Sequence, residues 1–317
     1  MTEPLVSVLV PVLDVAGLLP RCLDSLLAQT HRPLEIIVVN DGSADASSEV
    51  IERYAARHPE VRAIHKEHRG LGPARNAALA VAEGEYVAMV DADDWVEPGF
   101  LTDAVRLAGE TGADVVVTSF WFNALGMELR FPFAARERTL AGLEAAKLSL
   151  DLARFPAFAW NKLYRRDLFL PGEEPFPNIF YEDLATTPRL LARATTVAQT
   201  RRAYYHYCLR SDSITGDFGP RNVFAFAASL AILRTELQEL GLWDAWYAAY
   251  RKLLRDARVM MTIQVLLQRN RIPIRSRAPL LARFGQRLRA LAGPRPGAFP
   301  AAAGRAADES PAVSGAA

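Results

Sequence analysis

Residues 87–95 read VAMVDADDW: an apolar run delivers Asp91, Asp93 and Asp94 to its own end. In extended backbone, residues i and i+2 point the same way, so Asp91 and Asp93 can converge. Two carboxylates about 5 Å apart repel by roughly 3 kcal/mol at an effective dielectric of about 20. Protonation is one escape and a divalent cation the other. Mg²⁺ or Mn²⁺ suits one or two carboxylates whose coordination is completed by substrate phosphates and water. The bland alternative makes Asp93 and Asp94 turn and capping residues before VEPGFLTDAV. A second apolar run ends similarly in EIIVVNDGSADAS, where Asp41 leaves and Gly42 permits a tight turn. A carboxylate there can accept from a ribose hydroxyl or a base N–H, or simply close an Asx turn; Asp45 reads as a helix N-cap. In HRGLGPARN, residues 68–76, glycines precede a helix start, which favours anions, and Arg75 inside that helix can pair with Asp41 or with a nucleotide.

These positions need elements to hold them. Valine-rich runs at 5–12, 35–39, 61–65, 85–90 and 113–120 are predicted strands buried on both faces, as in parallel sheets. Helical spacing recurs between them, at 18–29, 46–57 and 74–82. The alternation predicts a doubly wound, mainly parallel α/β sheet, whose ligands bind beyond the carboxyl ends of its strands. After about residue 120 aromatics and prolines crowd the chain. Helical periodicity returns over 222–240, stopped at Gly241, with a second long helix from Asp244 to about 269. The Gly70-x-Gly72 pair, with Asp91 about twenty residues on, imitates a dinucleotide fingerprint. Arg75 occupies the third glycine position, however, and the match follows the third strand rather than the first.

Composition limits the rest. Half of the 317 residues are hydrophobic and the formal net charge is +1, so nothing global points to nucleic acid. Two distant cysteines, Cys22 and Cys208, make no disulfide framework and suit a reducing cytoplasm. The N-terminus reads as a first strand rather than a signal peptide, and no window reaches the length of a membrane span. From Ala257 to Ala307 arginine recurs without one acidic residue. Within this region Leu280, Leu281, Phe284, Leu288 and Leu291 line one side of a basic amphipathic helix. That helix either lies on an anionic membrane or packs on the α/β domain. The Pro/Gly/Ala-rich end from 293 is expected to be disordered.

Four blocks now stand in order and spacing: VSVLVPVLDVAGLLPRCLDSLLAQT, LEIIVVNDGSADAS, GLGPARNAAL and GEYVAMVDADDWVEP. Together they resemble the family 2 glycosyltransferases, which have a GT-A fold. The blocks AWNKLYRRDLF, FYEDL and YYHYCLRSDSIT continue the likeness to residue 215, in the manner of bacterial members that build cell-surface polysaccharides. The resemblance implies a nucleotide-sugar-binding half over 1–120, an acceptor half carrying the base over 121–215, a helical region over 216–292 and a tail over 293–317. Pro11 and Asp14 would border the nucleotide. Asp41 would hold the base, usually uracil, with Arg75 beside it. Asp91 and Asp93 would contact ribose and a metal-bound diphosphate, with Asp94 sharing the cation, Mn²⁺ or Mg²⁺. Asp183 would be the general base, supported by Glu182. Two departures stand out: Leu13 replaces an aromatic that would stack on the base, and His68-Arg69 replaces Asn-Gly, adding positive charge near the phosphates.

The reaction implied is inverting transfer of a sugar from a nucleoside diphosphate to a hydroxyl of a glycan or lipid-linked acceptor. Arg210 and Ser213 are candidate diphosphate clamps on a loop freed by Gly216 and Gly219. Trp160, Asn161 and Lys162 line the acceptor cleft or belong to the core. His206, among tyrosines, reads as a packed strand residue. A nucleotidyltransferase also uses paired carboxylates on an α/β sheet, and a nucleotide-sugar-binding scaffold of a polymer-assembly complex is the non-enzymatic alternative.

Overall fold

The valine-rich runs do become strands, and their alternation sets two core layers. The structure, a computed structural model, describes residues 3–124, 127–131, 137–152, 155–209, 218–267 and 272–293. In chain order the elements are β1 (Val6–Val12), α1 (Leu19–Leu27), β2 (Leu34–Asn40), α2 (Ser47–Ala55), β3 (Val61–His65), α3 (Leu71–Leu79) and β4 (Tyr86–Met89). Next come β5 (Trp95–Val96), α4 (Phe100–Thr111), β6 (Val115–Ala124), β7 (Met127–Phe131), β8 (Arg138–Ala141), α5 (Gly142–Leu148) and β9 (Lys162–Arg165). The chain continues through α6 (Glu182–Arg193), β10 (Thr196–Cys208), α7 (Pro220–Glu239), α8 (Trp243–Leu267) and α9 (Ile274–Ala292).

One sheet runs β3-β2-β1-β4-β9-β6-β10-β5, with β7 on β6 and β8 on β10. Strands β3, β2, β1 and β4 are parallel neighbours, and so are β6 and β10. Strand β9 enters antiparallel between β4 and β6. The sheet therefore crosses from the N-terminal half into the second half without a break. Along β1, Val6, Val8, Val10 and Val12 face a layer holding Leu19, Leu23 and Phe100, whereas Leu9 faces the opposite layer. Both faces are covered, which is why these strands read as unbroken apolar runs.

The second layer is the larger one. It joins α3, α5 and α6 to the C-terminal helices through Leu190, Val223, Leu230, Tyr250, Leu253 and Phe284. In α9 the stripe read from sequence packs inward: Leu280, Phe284 and Leu288 are buried, and Leu281 and Leu291 lie against the same core. Of the two readings of that stripe in residues 271–292, the one seen is packing on the protein's own core; Arg271 itself is outside the described residues. Gly241, at φ +67, follows the C-cap Leu240 of α7 as its breaker. No helix among the described residues is long and apolar enough to cross a membrane.

Candidate active site

The carboxyl end of β4 delivers the acidic turn, and the burial there alternates. Asp91, Asp93 and Trp95 are partly exposed, while Ala92, Asp94 and Val96 are buried. Asp91 and Asp93 are thus the carboxylates that keep contact with solvent, across a turn that the Asp94 N–H closes on the Asp91 carbonyl at 3.0 Å. Asp94 does not join them. Its Oδ2 accepts from the Tyr205 hydroxyl at 2.6 Å and its Oδ1 from the Cys208 N–H at 2.7 Å. Burial, and then the Asp93 and Asp91 charges, push its carboxyl well above the ordinary range. Both oxygens are engaged indoors, so Asp94 is corrected from a cation ligand to an anchor between the turn and β10. Tyr205 serves both ends, since its oxygen also accepts the Asp91 N–H at 3.1 Å.

Arg75, on α3, links the turn to the second half of the chain. Its side chain is 2 % exposed. Nη2 donates to Asp91 Oδ1 at 2.7 Å, and Nη1 donates to Glu182. Burial works against the charged guanidinium, but Asp91, Glu182 and Asp183 together hold it firmly protonated. Arg75 therefore does not sit beside Asp41, as the resemblance implied. The carboxylates of β4 and α6 draw it the other way, and Asp41 already has partners. The Lys66 ammonium donates to Asp41, as do His68 Nδ1 at 2.8 Å, the Arg69 N–H at 3.0 Å and the Gly70 N–H at 2.7 Å. Burial alone would raise the Asp41 carboxyl, but Lys66 and the two backbone donors outweigh it and hold it below its usual value. Of the two side-chain donors His68 is the more exposed.

Asp14 has a similar local task. It takes a left-handed backbone (φ +52), and its Oδ1 accepts the Ala44 N–H at 2.7 Å, tying the exits of β1 and β2 together. Pro11 is buried in β1 opposite Val39. Asp45 accepts the Ser47 N–H at 2.9 Å at the mouth of α2. The two α3 glycines are there for space. A Cβ on Gly70 would come 2.5 Å from Asn178 Oδ1, and one on Gly72 would come 2.3 Å from the Pro177 carbonyl. Their absence of side chains lets the segment 176–178 close over the start of α3.

The second carboxylate pair opens α6. Tyr181, just before it, is left-handed at φ +62. Ser229 Oγ on α7 lies 3.0 Å from the Phe180 carbonyl and 2.8 Å from the Tyr181 carbonyl, and Phe226 packs edge-on against the Tyr181 ring. This clamp fixes where Asp183 points. Glu182 is buried on Arg75, whereas Asp183 keeps partial exposure and accepts its neighbour's N–H, from Leu184, at 2.8 Å. Burial pushes Asp183 upward; Arg75 opposes it first and Lys162 further down. The outcome is a carboxyl at about 6, close to what a general base near neutrality needs. For Glu182, burial and the Asp183 charge press upward against Arg75.

Trp160, Asn161 and Lys162 belong to the interior. Trp160 stacks on Phe158 and Tyr205, and Asn161 Nδ2 donates to the Thr118 carbonyl at 2.7 Å. Lys162 is fully buried, with Nζ donating to the Phe158 carbonyl at 2.5 Å and to Asn161 Oδ1 at 2.8 Å. Burial lowers its ammonium to about 7 against the pull of Asp183. His206 is a packed strand residue, its ring stacked 3.4 Å from Trp95. Arg210, Ser213 and Gly216 fall outside the described residues. Sequence reading missed Lys66, Tyr205 and Ser229; the first carried a faint signal as the only lysine beside the HRGLG stretch.

Among the described residues no cluster of three or more His, Cys, Asp or Glu side chains is arranged to hold a metal unaided. The donor set at the rim, Asp91 and Asp93, is instead the sparse oxygen pair that Mg²⁺ or Mn²⁺ accepts when phosphates and water fill the remaining positions.

The family model described as glycosyl transferase family 2 matches residues 7–170, about half of the chain and all of the Asp-x-Asp region. The chain is a family 2 glycosyltransferase. EpsH of Bacillus subtilis (strain 168) is 33 % identical over 241 residues, covering 74 % of this chain and 69 % of EpsH. Among solved structures, residues 1–349 of S. aureus TarS in complex with UDP-GlcNAc superpose at a TM-score of 0.59 with 20 % identity, covering 90 % of each chain. The mannosyltransferase PcManGT from Pyrobaculum calidifontis, in complex with GDP-Man and Mn²⁺, gives 0.55 at 19 % identity over 92 % of this chain and 87 % of its own. Those two likenesses establish the GT-A-type fold. Membership of the family makes the protein an enzyme that transfers sugars, which sets aside the nucleotidyltransferase and scaffold readings.

Proposed function

We propose that this glycosyltransferase moves a sugar, with inversion, from a nucleoside diphosphate, most simply UDP, to a hydroxyl of a cell-surface glycan or lipid-linked acceptor. One observation carries the reading: a single buried guanidinium, Arg75, fastens the Asp91 turn to the α6 start that presents Asp183. Donor and base groups are thereby held at one rim. Residues 1–120 take the donor and 121–215 supply the base, with α7 bracing it. Asp41 faces the base, with Pro11 and Asp14 shaping the wall beside it, and His68 yields its place on Asp41. Asp91 and Asp93 would hold Mn²⁺ or Mg²⁺ against the diphosphate. When bound, the cation supplies Lewis-acid neutralisation of the charge that grows on the leaving diphosphate.

Asp183 receives the acceptor's proton as its oxygen attacks the far face of the anomeric carbon. Such a base contributes about 10²–10⁴-fold. Glu182 lies on Arg75 and holds that cation between the two sites, which keeps Asp91 aimed outward. The free thiols Cys22 and Cys208 suit the cytoplasm, where such donors are made. Calorimetry of UDP and GDP with Mn²⁺, Mg²⁺ or EDTA tests the reading: heat that requires a divalent cation supports it, and nucleotides that bind equally weakly in all three sink it.

A further inference from the structure

We propose that the outer stripe of α8 and the head of α9 form the surface by which this protein rests on a bilayer rich in anionic lipid. Val259, Ile263, Leu266 and Leu267 recur at helical spacing and are 60, 51, 52 and 69 % exposed. Leu254, Ala257, Met261 and Val265, around the same helix, are buried in the core. Ile274, which opens α9, is 80 % exposed. The two helices run antiparallel, since the Tyr247 hydroxyl near the start of α8 donates to the Gly293 carbonyl at the end of α9 at 3.4 Å. Leu267 and Ile274 therefore fall at one end of the pair, and the stripe continues from them along α8. Scattered apolar residues need no cover, but a contiguous patch of this kind marks a contact surface.

The charge around it selects the occupant. Arg255, Arg258 and Arg275 are exposed at its borders and Arg277 is partly so. No acidic residue occurs from Ala257 to Ala307. Of the acidic groups on α8, Asp256 is paired with Lys252 at 2.6 Å and Asp244 lies in the first turn, at the other end. A second copy would bring arginine against arginine. A nucleic acid would satisfy the arginines and leave the apolar side chains in water. An anionic bilayer meets both, with the apolar groups at headgroup depth and the guanidinium groups among lipid phosphates. The surface differs from the α9 stripe, which the core covers. It also stands apart from Asp91 and Asp183, so it is tested without turnover.

The test is sedimentation of the full chain with phosphatidylcholine vesicles, and with vesicles containing roughly one-third phosphatidylglycerol. Expected is salt-sensitive binding to the anionic vesicles only. Ile263→Asp combined with Leu267→Asp lowers the partition coefficient tenfold or more, and Arg275→Gln lowers it about fivefold. Melting temperature and nucleotide binding stay at wild-type values, since these side chains face outward. Wild-type protein left in the supernatant with both vesicles overturns the proposal, and so does a double variant that pellets like wild type. Light scattering that shows a dimer split by the two aspartates also overturns it, in favour of a second copy as the occupant.

Discussion

Replacing Arg75 with methionine keeps an unbranched stem and removes the guanidinium and its charge. In the folded protein Glu182 and Asp91 both lean on that guanidinium, and Glu182 is almost wholly shielded from water. Removing one partner of a buried pair typically costs about 3–5 kcal/mol, because the survivor is left charged without compensation. For a chain of this size each kcal/mol corresponds to roughly 2–4 °C, so the melting temperature should fall by about 10 °C. The loss depends on pH with a definite sign. Burial already raises Glu182 to about 7 in the wild-type protein, above its unfolded value near 4.5, and losing Arg75, which opposes that rise, lifts it further. Such a group is harmless below the unfolded value, where it is protonated in both states, and becomes destabilising as pH rises. The deficit against wild type should therefore be smallest at acid pH and grow as pH rises through about 7. Adding Glu182→Leu removes the orphaned charge and recovers part of the stability, but leaves Asp91 without its anchor and nucleotide binding weak. Urea denaturation at several pH values, run on both single variants and the double, measures this. A single variant within about 1 kcal/mol of wild type, or losses that simply add, would refute the reasoning that one cation supports both carboxylates.

Asp183→Asn should lower kcat by about 10²–10⁴ with nucleotide affinity retained, and a steady-state assay beside calorimetry separates the two. In the wild-type enzyme burial sets Asp183 at about 6, so the rate should rise through pH 6 as the carboxylate ionises; the asparagine variant should lack that limb. Gly72→Ala forces the Pro177 and Phe176 carbonyls away from α3, at 2.3 and 2.8 Å from the new methyl, and should lower thermal stability in a scanning-fluorimetry melt. Ser229→Ala removes the hydroxyl at the Phe180 and Tyr181 carbonyls, at about 1 kcal/mol of stability. It should depress kcat more than KM, because it loosens the turn that aims Asp183.

The strands and the position of the acidic turn were legible because both are local. Period-two burial and a run of valines need no knowledge of distant partners, and Asp91 and Asp93 both came out partly exposed at the end of β4. Asp94 illustrates the limit. Its neighbours in sequence are identical in type, and only Tyr205 and the Cys208 N–H, more than a hundred residues away, decide that it turns inward. Arg75 is the same case: its choice between Asp41 and Glu182 depends on Lys66 reaching Asp41 first and on the 107-residue separation closing at α6. Strand β9 was hidden because four residues, KLYR, are too few to show a period within an aromatic stretch. The α9 stripe was read correctly as a stripe, but an amphipathic pattern says only that something apolar covers it, and here α7 and α8 do.

The pin from Ser229 has a practical corollary for anyone recombining these enzymes. The family match ends at residue 170, and the helices beyond residue 218 look like a detachable module. Yet the hydroxyl and the phenyl ring that hold Phe180 and Tyr181 in place come from that module. A chimera joined just before α7 would exchange those helices and, in the same cut, let go of the turn that leads into Asp183. The workable seam lies after Ser229, further along α7, so that the first turns of the helix travel with the sheet.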